Sequence, residues 1–155
     1  MKRWYVDACV LVAYFSNKRT EKENKKIAKR IFSEISEAVD LELVTSYWTL
    51  TELTKILIKS HAMDRDKIVR ITTDLIRRGR IEGAKIKLID LSPKSDYNFS
   101  EMCSDLQDGA IKYTVGFQDV LHTIIMKNNG IDTILTFDSG FKKIDGLNVV
   151  EVDEQ

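Results

Sequence analysis

Short apolar segments that alternate with helical segments constrain the fold of this chain more than any other feature of its sequence. Five of them have the composition and length of strands, at 3–6, 41–46, 85–91, 133–137 and 148–152. Strands that are separated by helices usually lie parallel in one sheet, and helices cover both faces of that sheet. We therefore predict an α/β fold with three layers and a central parallel sheet.

Helix start and stop signals lie between the predicted strands. Thr20 and Glu23 have the spacing of a capping box, and apolar residues then recur at helical spacing from Ile27 to Val39. Gly79 and Gly109 are typical stop signals for two later helices. The predicted helices cover 8–15, a segment that begins at Thr20, 47–60, 64–78, 95–108 and 117–128.

The composition is that of one ordinary globular domain, and we predict a single domain over residues 1–155. Lysine plus arginine equals aspartate plus glutamate, at 24 each. This balance disfavours unspecific coating of nucleic acid, but it permits a nuclease whose basic groups are local. The apolar N-terminus is interrupted by Asp7, and no segment reaches the length of a membrane span. We therefore expect a cytoplasmic protein without a membrane partner.

Two acids follow predicted strands directly. Asp7 comes after 3–6 and Asp138 comes after 133–137. Because sites in open α/β sheets form at the carboxyl ends of the strands, both acids are placed for a common site, whereas Asp132 precedes its strand and is not. An aspartate in this position is also a common N-cap of the next helix, and that alternative stays open for each of them.

Glu52 lies in the helix that follows the second strand, on a polar stripe with Lys55 and Lys59. If Thr49 caps this helix, Glu52 is explained by the spacing of a capping box. If Ser46 caps it, Glu52 lies in the second turn, where capping does not explain an acid. We favour Ser46 because the strand ends there.

Asp119 lies in the first turn of the helix 117–128, where the helix dipole favours an acid in any case. This helix is apolar around most of its circumference from Val120 to Met126, which predicts burial. His122 lies one turn after Asp119. A buried histidine with satisfied hydrogen bonds is the favoured interpretation of His122, and metal ligation is the alternative.

Three segments stand in the order of a known family. A strand that ends in Asp7 lies in YVDACVLVAYF, a helix with Glu52 lies in TSYWTLTELTK, and Asp119 and Asp138 lie in FQDVLHTIIMKNNGIDTILTFDSGFKKIDGLNVV. Together these segments resemble the PIN domains, and especially the small VapC-type toxins of toxin–antitoxin pairs. The similarity covers nearly the whole chain, and the closing segment is its most specific part.

The resemblance implies a metal-dependent endoribonuclease that hydrolyses RNA phosphodiester bonds as a toxin. Asp7, Glu52, Asp119 and Asp138 would form one site for Mg²⁺ or Mn²⁺, with Asp7 as the central ligand. Two carboxylates at ~4 Å repel each other by about 4 kcal/mol at an effective dielectric near 20, so such a cluster needs a cation or protonation. A bound ion would lower the pKa of a water and stabilise charge on the phosphate.

The resemblance also implies supporting residues and partners. Thr136 and Ser139 are expected to hold the ligands through hydrogen bonds. Lys55 and Lys59 are expected to contact RNA phosphates, although a solvated helix surface is the alternative for both. The expected partners are RNA, a cognate antitoxin protein and a second copy of the chain in a homodimer.

The chain departs from the family pattern in two places. Cys9 stands where the family often has serine or threonine, so we expect a hydrogen bond near the metal to be missing or weakened. Thr123, Ile124 and Ile125 replace small residues on the helix after Asp119, which puts the packing of that helix in question.

Three other functions are compared with that of a nuclease because they also occur on α/β folds. A PIN-like module that binds RNA or protein without cleavage keeps the fold and loses the chemistry. A phosphatase or receiver domain would use Asp7 as a nucleophile, but no second acid lies near it in sequence. A dinucleotide-binding fold needs a glycine-rich turn after the first strand, and residues 7–15 contain no glycine.

Overall fold

The computed structural model describes residues 1–150, in which six strands form one sheet. The strands are β1 (Lys2–Val6), β2 (Leu41–Ser46), β3 (Arg80–Ile81), β4 (Ala84–Ile89), β5 (Thr133–Leu135) and β6 (Asn148–Val150). Their order in the sheet is β3-β4-β2-β1-β5-β6, and all neighbours are parallel except β3 and β4. The sheet is therefore mixed, with an antiparallel hairpin at one edge of a parallel centre.

Helices cover both faces of this sheet. They are α1 (Ala8–Phe15), α2 (Lys22–Ser36), α3 (Tyr47–Lys59), α4 (Arg65–Arg78), α5 (Phe99–Tyr113) and α6 (Phe117–Asn128), with 3₁₀ helices at Arg19–Glu21 and Ser139–Lys143. Side chains of each strand point to the two faces in alternation. Val6 packs in a core with α1 to α4, whereas its neighbour Tyr5 packs in a second core with α6. The predicted three-layer α/β fold is confirmed.

The helix that carries Glu52 begins where we predicted. The Ser46 side chain accepts a hydrogen bond from the Thr49 backbone N–H at 3.1 Å, so Ser46 is the N-cap of α3. Glu52 therefore lies in the second turn, and capping does not account for it. Gly79 ends α4 in the left-handed conformation, as predicted, and a Cβ there would approach the Ile86 carbonyl oxygen to 2.8 Å.

The capping box predicted at Thr20 and Glu23 is wrong. Arg19–Glu21 forms a turn of 3₁₀ helix, and α2 begins after Glu21 without a side-chain capping bond. The helix ends at Ser36, so Val39 lies beyond it and is 93% exposed. Thr20 lies inside this 3₁₀ turn, whose backbone hydrogen bonds join residues three apart, so it is not placed to cap an α-helix.

The helix predicted over 95–108 begins and ends later in the structure, at Phe99 and Tyr113. Its start is a capping box formed by Asn98 and Glu101, which we did not predict. Gly109 does not end the helix. It lies inside α5, where a Cβ would come within 2.5 Å of Val120 Cγ1, so glycine allows α5 and α6 to approach each other.

The β3–β4 hairpin and the last strand also differ from the predicted elements. The hairpin of β3 and β4 was not predicted, because its turn is Glu82-Gly83 rather than a sequence typical of such turns. The last predicted strand, 148–152, is observed for Asn148–Val150, and its final two residues lie outside the described residues. Within residues 1–150, no helix has the length and apolar character needed to cross a bilayer.

Candidate metal centre

Asp7 and Asp138 follow two neighbouring strands. Val6 of β1 lies opposite Leu135 of β5, and the Asp7 backbone N–H donates to the Leu135 carbonyl at 3.1 Å. Both acids therefore lie at the same edge of the sheet, as predicted. Asp132 precedes β5 and lies at the other end of that strand.

The Asp7 carboxylate is buried and is held by hydrogen bonds on both oxygens. Oδ1 accepts from the Ala8 N–H at 2.7 Å, so Asp7 is also the N-cap of α1. Oδ2 accepts from the Thr136 hydroxyl at 2.7 Å and from the Cys9 thiol at 3.0 Å. The capping interpretation therefore holds for Asp7, and the metal-site interpretation stays a prediction for the same residue.

Cys9 makes the hydrogen bond that we expected to be missing or weakened. Burial, followed by the negative charge of Asp7, raises the pKa of the Cys9 thiol well above its ordinary value. The thiol therefore stays protonated and can donate to Asp7. The hydrogen bond is therefore present, with sulfur in place of oxygen as a weaker donor, so that of the two expected outcomes the missing bond is excluded.

Thr136 connects the two strand-end acids. Its hydroxyl donates to Asp7 and accepts from the Asp138 backbone N–H at 3.0 Å. Asp138 itself is exposed, and its Oδ1 accepts from the Gly140 N–H at 2.7 Å at the start of the second 3₁₀ helix. Ser139 is exposed, and its side chain has no hydrogen bond to the predicted ligands among the contacts described for residues 1–150.

Glu52 reaches the same edge from α3 and contacts a histidine there. His122 Nε2 lies 2.5 Å from Glu52 Oε2 and 3.8 Å from Asp7 Oδ1. One potential ligand atom from each of Asp7, Glu52 and His122 lies within 4.8 Å of the others, and all three residues are buried. The histidine is hydrogen-bonded at both ring nitrogens, in agreement with the favoured interpretation of its sequence position.

Asp119 is partly buried in the first turn of α6. Desolvation raises its pKa most, followed by the negative charges of Asp138 and Asp7, with a smaller effect of Glu52. The Asp119 carboxylate therefore lies within the electrostatic reach of the three other acids. The structure brings all four predicted acids to one edge of the sheet, with Asp119 and Asp138 outside the tight group of Asp7, Glu52 and His122.

Comparison with known protein families gives a match over most of the chain. The profile of the PIN domain matches residues 4–147. The chain belongs to the PIN domain family. No curated protein sequence matches this PIN domain.

Solved structures of toxins share the fold of this PIN domain. The VapC20 toxin of Mycobacterium tuberculosis, described as cleaving the sarcin-ricin loop, aligns with a TM-score of 0.62 and 15% identity over 89% of this chain and 92% of its own. VapBC-1 from nontypeable Haemophilus influenzae aligns with a TM-score of 0.61 and 17% identity over 97% and 98%. A toxin–antitoxin complex from Klebsiella pneumoniae aligns with a TM-score of 0.59 and 16% identity over 98% and 99%. Because these identities are only 15–17%, the likeness shows a shared fold and does not extend to activity.

The helix α6 of this PIN domain packs despite its larger residues. Thr123, Ile124 and Ile125 are all buried, and the Thr123 hydroxyl donates to the Asp119 carbonyl at 2.9 Å. The expected problem with helix packing does not arise, because all three side chains are accommodated in the interior.

Two lysines follow Glu52 along α3 of this PIN domain. Lys55 and Lys59 lie about one and two turns beyond it, and both are exposed. They are therefore accessible to a polyanion, and their contact with RNA stays a prediction.

Proposed function

We propose that this PIN domain is a metal-dependent endoribonuclease and the toxin of a toxin–antitoxin pair. The observation that carries the proposal is the convergence of Asp7, Glu52, Asp119 and Asp138 at one edge of the sheet, where desolvation, followed by the negative charges of the other three acids, raises the Asp119 pKa. Neighbouring carboxylates that repel one another in this way are stabilised by a bound cation.

The donor set fits a small divalent ion. Carboxylate oxygens are the ligands that Mg²⁺ and Mn²⁺ prefer, and Asp7 offers an oxygen that Thr136 and Cys9 already orient. Asp7 would be the central ligand and Asp119 a second one, while Glu52 and Asp138 would complete the site or orient a water. When bound, such an ion supplies an activated water and charge stabilisation at the phosphate.

The residues around the site argue against covalent catalysis by a side chain. The one thiol at the centre, Cys9, has a raised pKa and donates to Asp7, whereas a nucleophilic cysteine needs a lowered pKa. Direct attack of water on RNA is therefore the reaction that this site supports. The exposed side chains of Lys55 and Lys59 would bind RNA phosphates beside Glu52.

The proposed partners follow from the family and from one surface. The relatives solved as toxin–antitoxin complexes favour a cognate antitoxin as a partner. A groove of about 500 Å³ lies between the first turn of α3 and the helices α5 and α6. Its exposed aromatic side chains, Tyr47, Trp48, Phe99 and Phe117, would be covered by a second copy in a homodimer. The proposal places the protein in the cytoplasm, where RNA is available.

The test is an RNA cleavage assay with Mg²⁺, Mn²⁺ or EDTA, in which wild type is compared with Asp7→Asn. Asparagine keeps an oxygen that can cap α1, so the variant removes the charge and preserves the fold. We expect a loss of activity of about 100-fold or more, since losing a supporting residue alone typically costs about 10–100-fold. The control is Asp64→Asn, because Asp64 is an exposed N-cap of α4.

Two results would contradict the proposal. Cleavage that persists in EDTA would exclude metal dependence, and a fully active Asp7→Asn would exclude the site. An RNA-binding or antitoxin-binding protein that takes up no divalent ion at millimolar concentration would instead be a PIN-like module without cleavage.

A further inference from the structure

We propose that His122 is a positioning residue of the metal site, and that it acts with Tyr5 to hold the Glu52 carboxylate toward the ion. This inference rests on the proposed function, because it assigns how one ligand is oriented. Neither Tyr5 nor His122 is among the acids that the resemblance implies as ligands.

A continuous series of buried hydrogen bonds carries the inference. His122 Nε2 lies 2.5 Å from Glu52 Oε2, and His122 Nδ1 lies 2.8 Å from the Tyr5 hydroxyl. The same hydroxyl lies 2.6 Å from Ser46 Oγ and 2.9 Å from Thr49 Oγ1. All five residues are buried, so each of these hydrogen bonds is shielded from competition by solvent.

The direction of these hydrogen bonds follows from what each group can donate. An ionised Glu52 accepts only, so His122 Nε2 carries a proton, and in a neutral imidazole Nδ1 is then an acceptor. The Tyr5 hydroxyl donates to Nδ1 and accepts from the hydroxyls of Ser46 and Thr49. Each group in the series has a hydrogen-bond partner, and each donates toward the next group in the order that ends at Glu52.

The series also returns to the helix from which Glu52 projects. Ser46 is the N-cap of α3 and Thr49 lies in its first turn, while Tyr5 lies on β1 and His122 on α6. The network therefore joins α3 and α6, which carry Glu52 and Asp119, to the strand that ends directly before Asp7. Hydrogen bonds that orient a ligand residue in this way are part of what sets the affinity of a metal site.

The experiment is a titration of the purified chain with Mn²⁺, followed by calorimetry, for wild type, His122→Leu, His122→Gln and Tyr5→Phe. We expect His122→Leu to weaken Mn²⁺ binding by about 10–100-fold, the usual effect of losing such a partner. Glutamine offers an N–H close to the position of Nε2, so His122→Gln should stay nearer to wild type than to His122→Leu. Tyr5→Phe should weaken binding less than His122→Leu, because the histidine can still reach Glu52.

A double variant separates a positioning role from a structural one. If His122 acts through Glu52, then His122→Leu should add no further loss of Mn²⁺ affinity to a Glu52→Gln protein. The matched control is His61→Gln, because His61 is the other histidine of the chain and contacts Ser16, not the acids. Thermal unfolding without Mn²⁺ checks that each variant is folded.

Several outcomes would overturn the inference. Wild-type affinity in a folded His122→Leu would exclude any role at the site. Equal losses in His122→Gln and His122→Leu, or additive losses in the double variant, would exclude positioning through Glu52 and indicate direct ligation by the imidazole. Failure of wild type to bind Mn²⁺ is a separate result, because it would refute the proposed function itself.

Discussion

The Thr136 hydroxyl donates to the Asp7 carboxylate at 2.7 Å, although 129 positions separate the two residues in sequence. The same hydroxyl accepts from the Asp138 backbone N–H, so one side chain fixes both strand-end acids. Neighbouring positions at the ends of β1 and β5 make this possible.

Replacing Thr136 with valine should lower both stability and ion affinity. Valine keeps the shape of threonine but leaves the buried Asp7 oxygen with one donor fewer. A hydrogen bond to a charged group contributes about 1.5–3 kcal/mol, so the free energy of unfolding should fall by about that amount in urea titrations. Thr133→Val is the matched control, because the Thr133 hydroxyl donates to the exposed Asp132 at the other end of β5. Equal effects of the two substitutions would contradict the assigned role.

The role of the Cys9 thiol as a hydrogen-bond donor to Asp7 can be tested by replacing the side chain. Serine supplies a stronger donor to Asp7, so Cys9→Ser should bind Mn²⁺ at least as well as wild type. Alanine removes the donor, so Cys9→Ala should bind Mn²⁺ more weakly, by about 10-fold if the thiol orients Asp7. Calorimetric titration measures both, with Cys103→Ala as the control for loss of a thiol elsewhere. Unchanged affinity in Cys9→Ala would show that Thr136 alone is sufficient.

The raised pKa of Asp119 predicts how stability depends on pH in the absence of metal. The folded protein holds the Asp119 proton more tightly than the unfolded chain, in which aspartate titrates near ~3.9. Stability therefore falls as pH rises from there through the folded pKa, and it stays lower at neutral pH. Asp119→Asn should stabilise the metal-free protein at pH 7, and this gain should vanish when the pH is lowered to about 3, where aspartate is protonated in both states.

The control for this prediction is another acid in the first turn of a helix. Asp66 lies in the first turn of α4 and is exposed, away from the site. Since the helix dipole favours a negative charge there, Asp66→Asn should be neutral or slightly destabilising. Denaturation at several pH values in EDTA measures both variants. A destabilising Asp119→Asn at pH 7 would contradict the repulsion that we describe.

Divalent ions should stabilise the folded protein and relieve this repulsion. A ligand that binds only the folded state raises the free energy of unfolding by about 2.7 kcal/mol when its concentration is 100 times its dissociation constant. The unfolding temperature of wild type should therefore rise with Mn²⁺ and return after EDTA, whereas Asp7→Asn should show little change. A rise of the same size in both proteins would mean that the ion binds elsewhere.

The groove between α3, α5 and α6 predicts how the proposed homodimer can be disrupted. Phe99 is 74% exposed at the start of α5, where an acid suits the helix dipole. Phe99→Asp should therefore shift the protein from dimer to monomer in sedimentation experiments without unfolding it. Val69→Asp is the control, because Val69 is 60% exposed on α4 and does not line the groove. A dimer that persists in Phe99→Asp would place the interface on another surface.

Sequence patterns correctly predicted those parts of the fold that depend on interactions between residues close in sequence. The apolar segment before Asp7, the Ser46 cap and the buried face of α6 were all predicted, because strand alternation, capping and helical periodicity depend on near neighbours in sequence. Gly109 shows the limit of such patterns. Its sequence resembles a stop signal, and only the close approach of Val120 shows why a glycine lies inside the helix.

The sequence by itself determined the α/β architecture and, through strand ends and family resemblance, which four acids we propose for the site. Only the tertiary structure decided how those acids are held. His122 and Tyr5 meet across 117 positions, and Cys9 meets Phe137 across 128. Side-chain hydrogen bonds between such distant residues leave no periodic signal in a sequence, because they depend on which strands and helices become neighbours in the folded sheet.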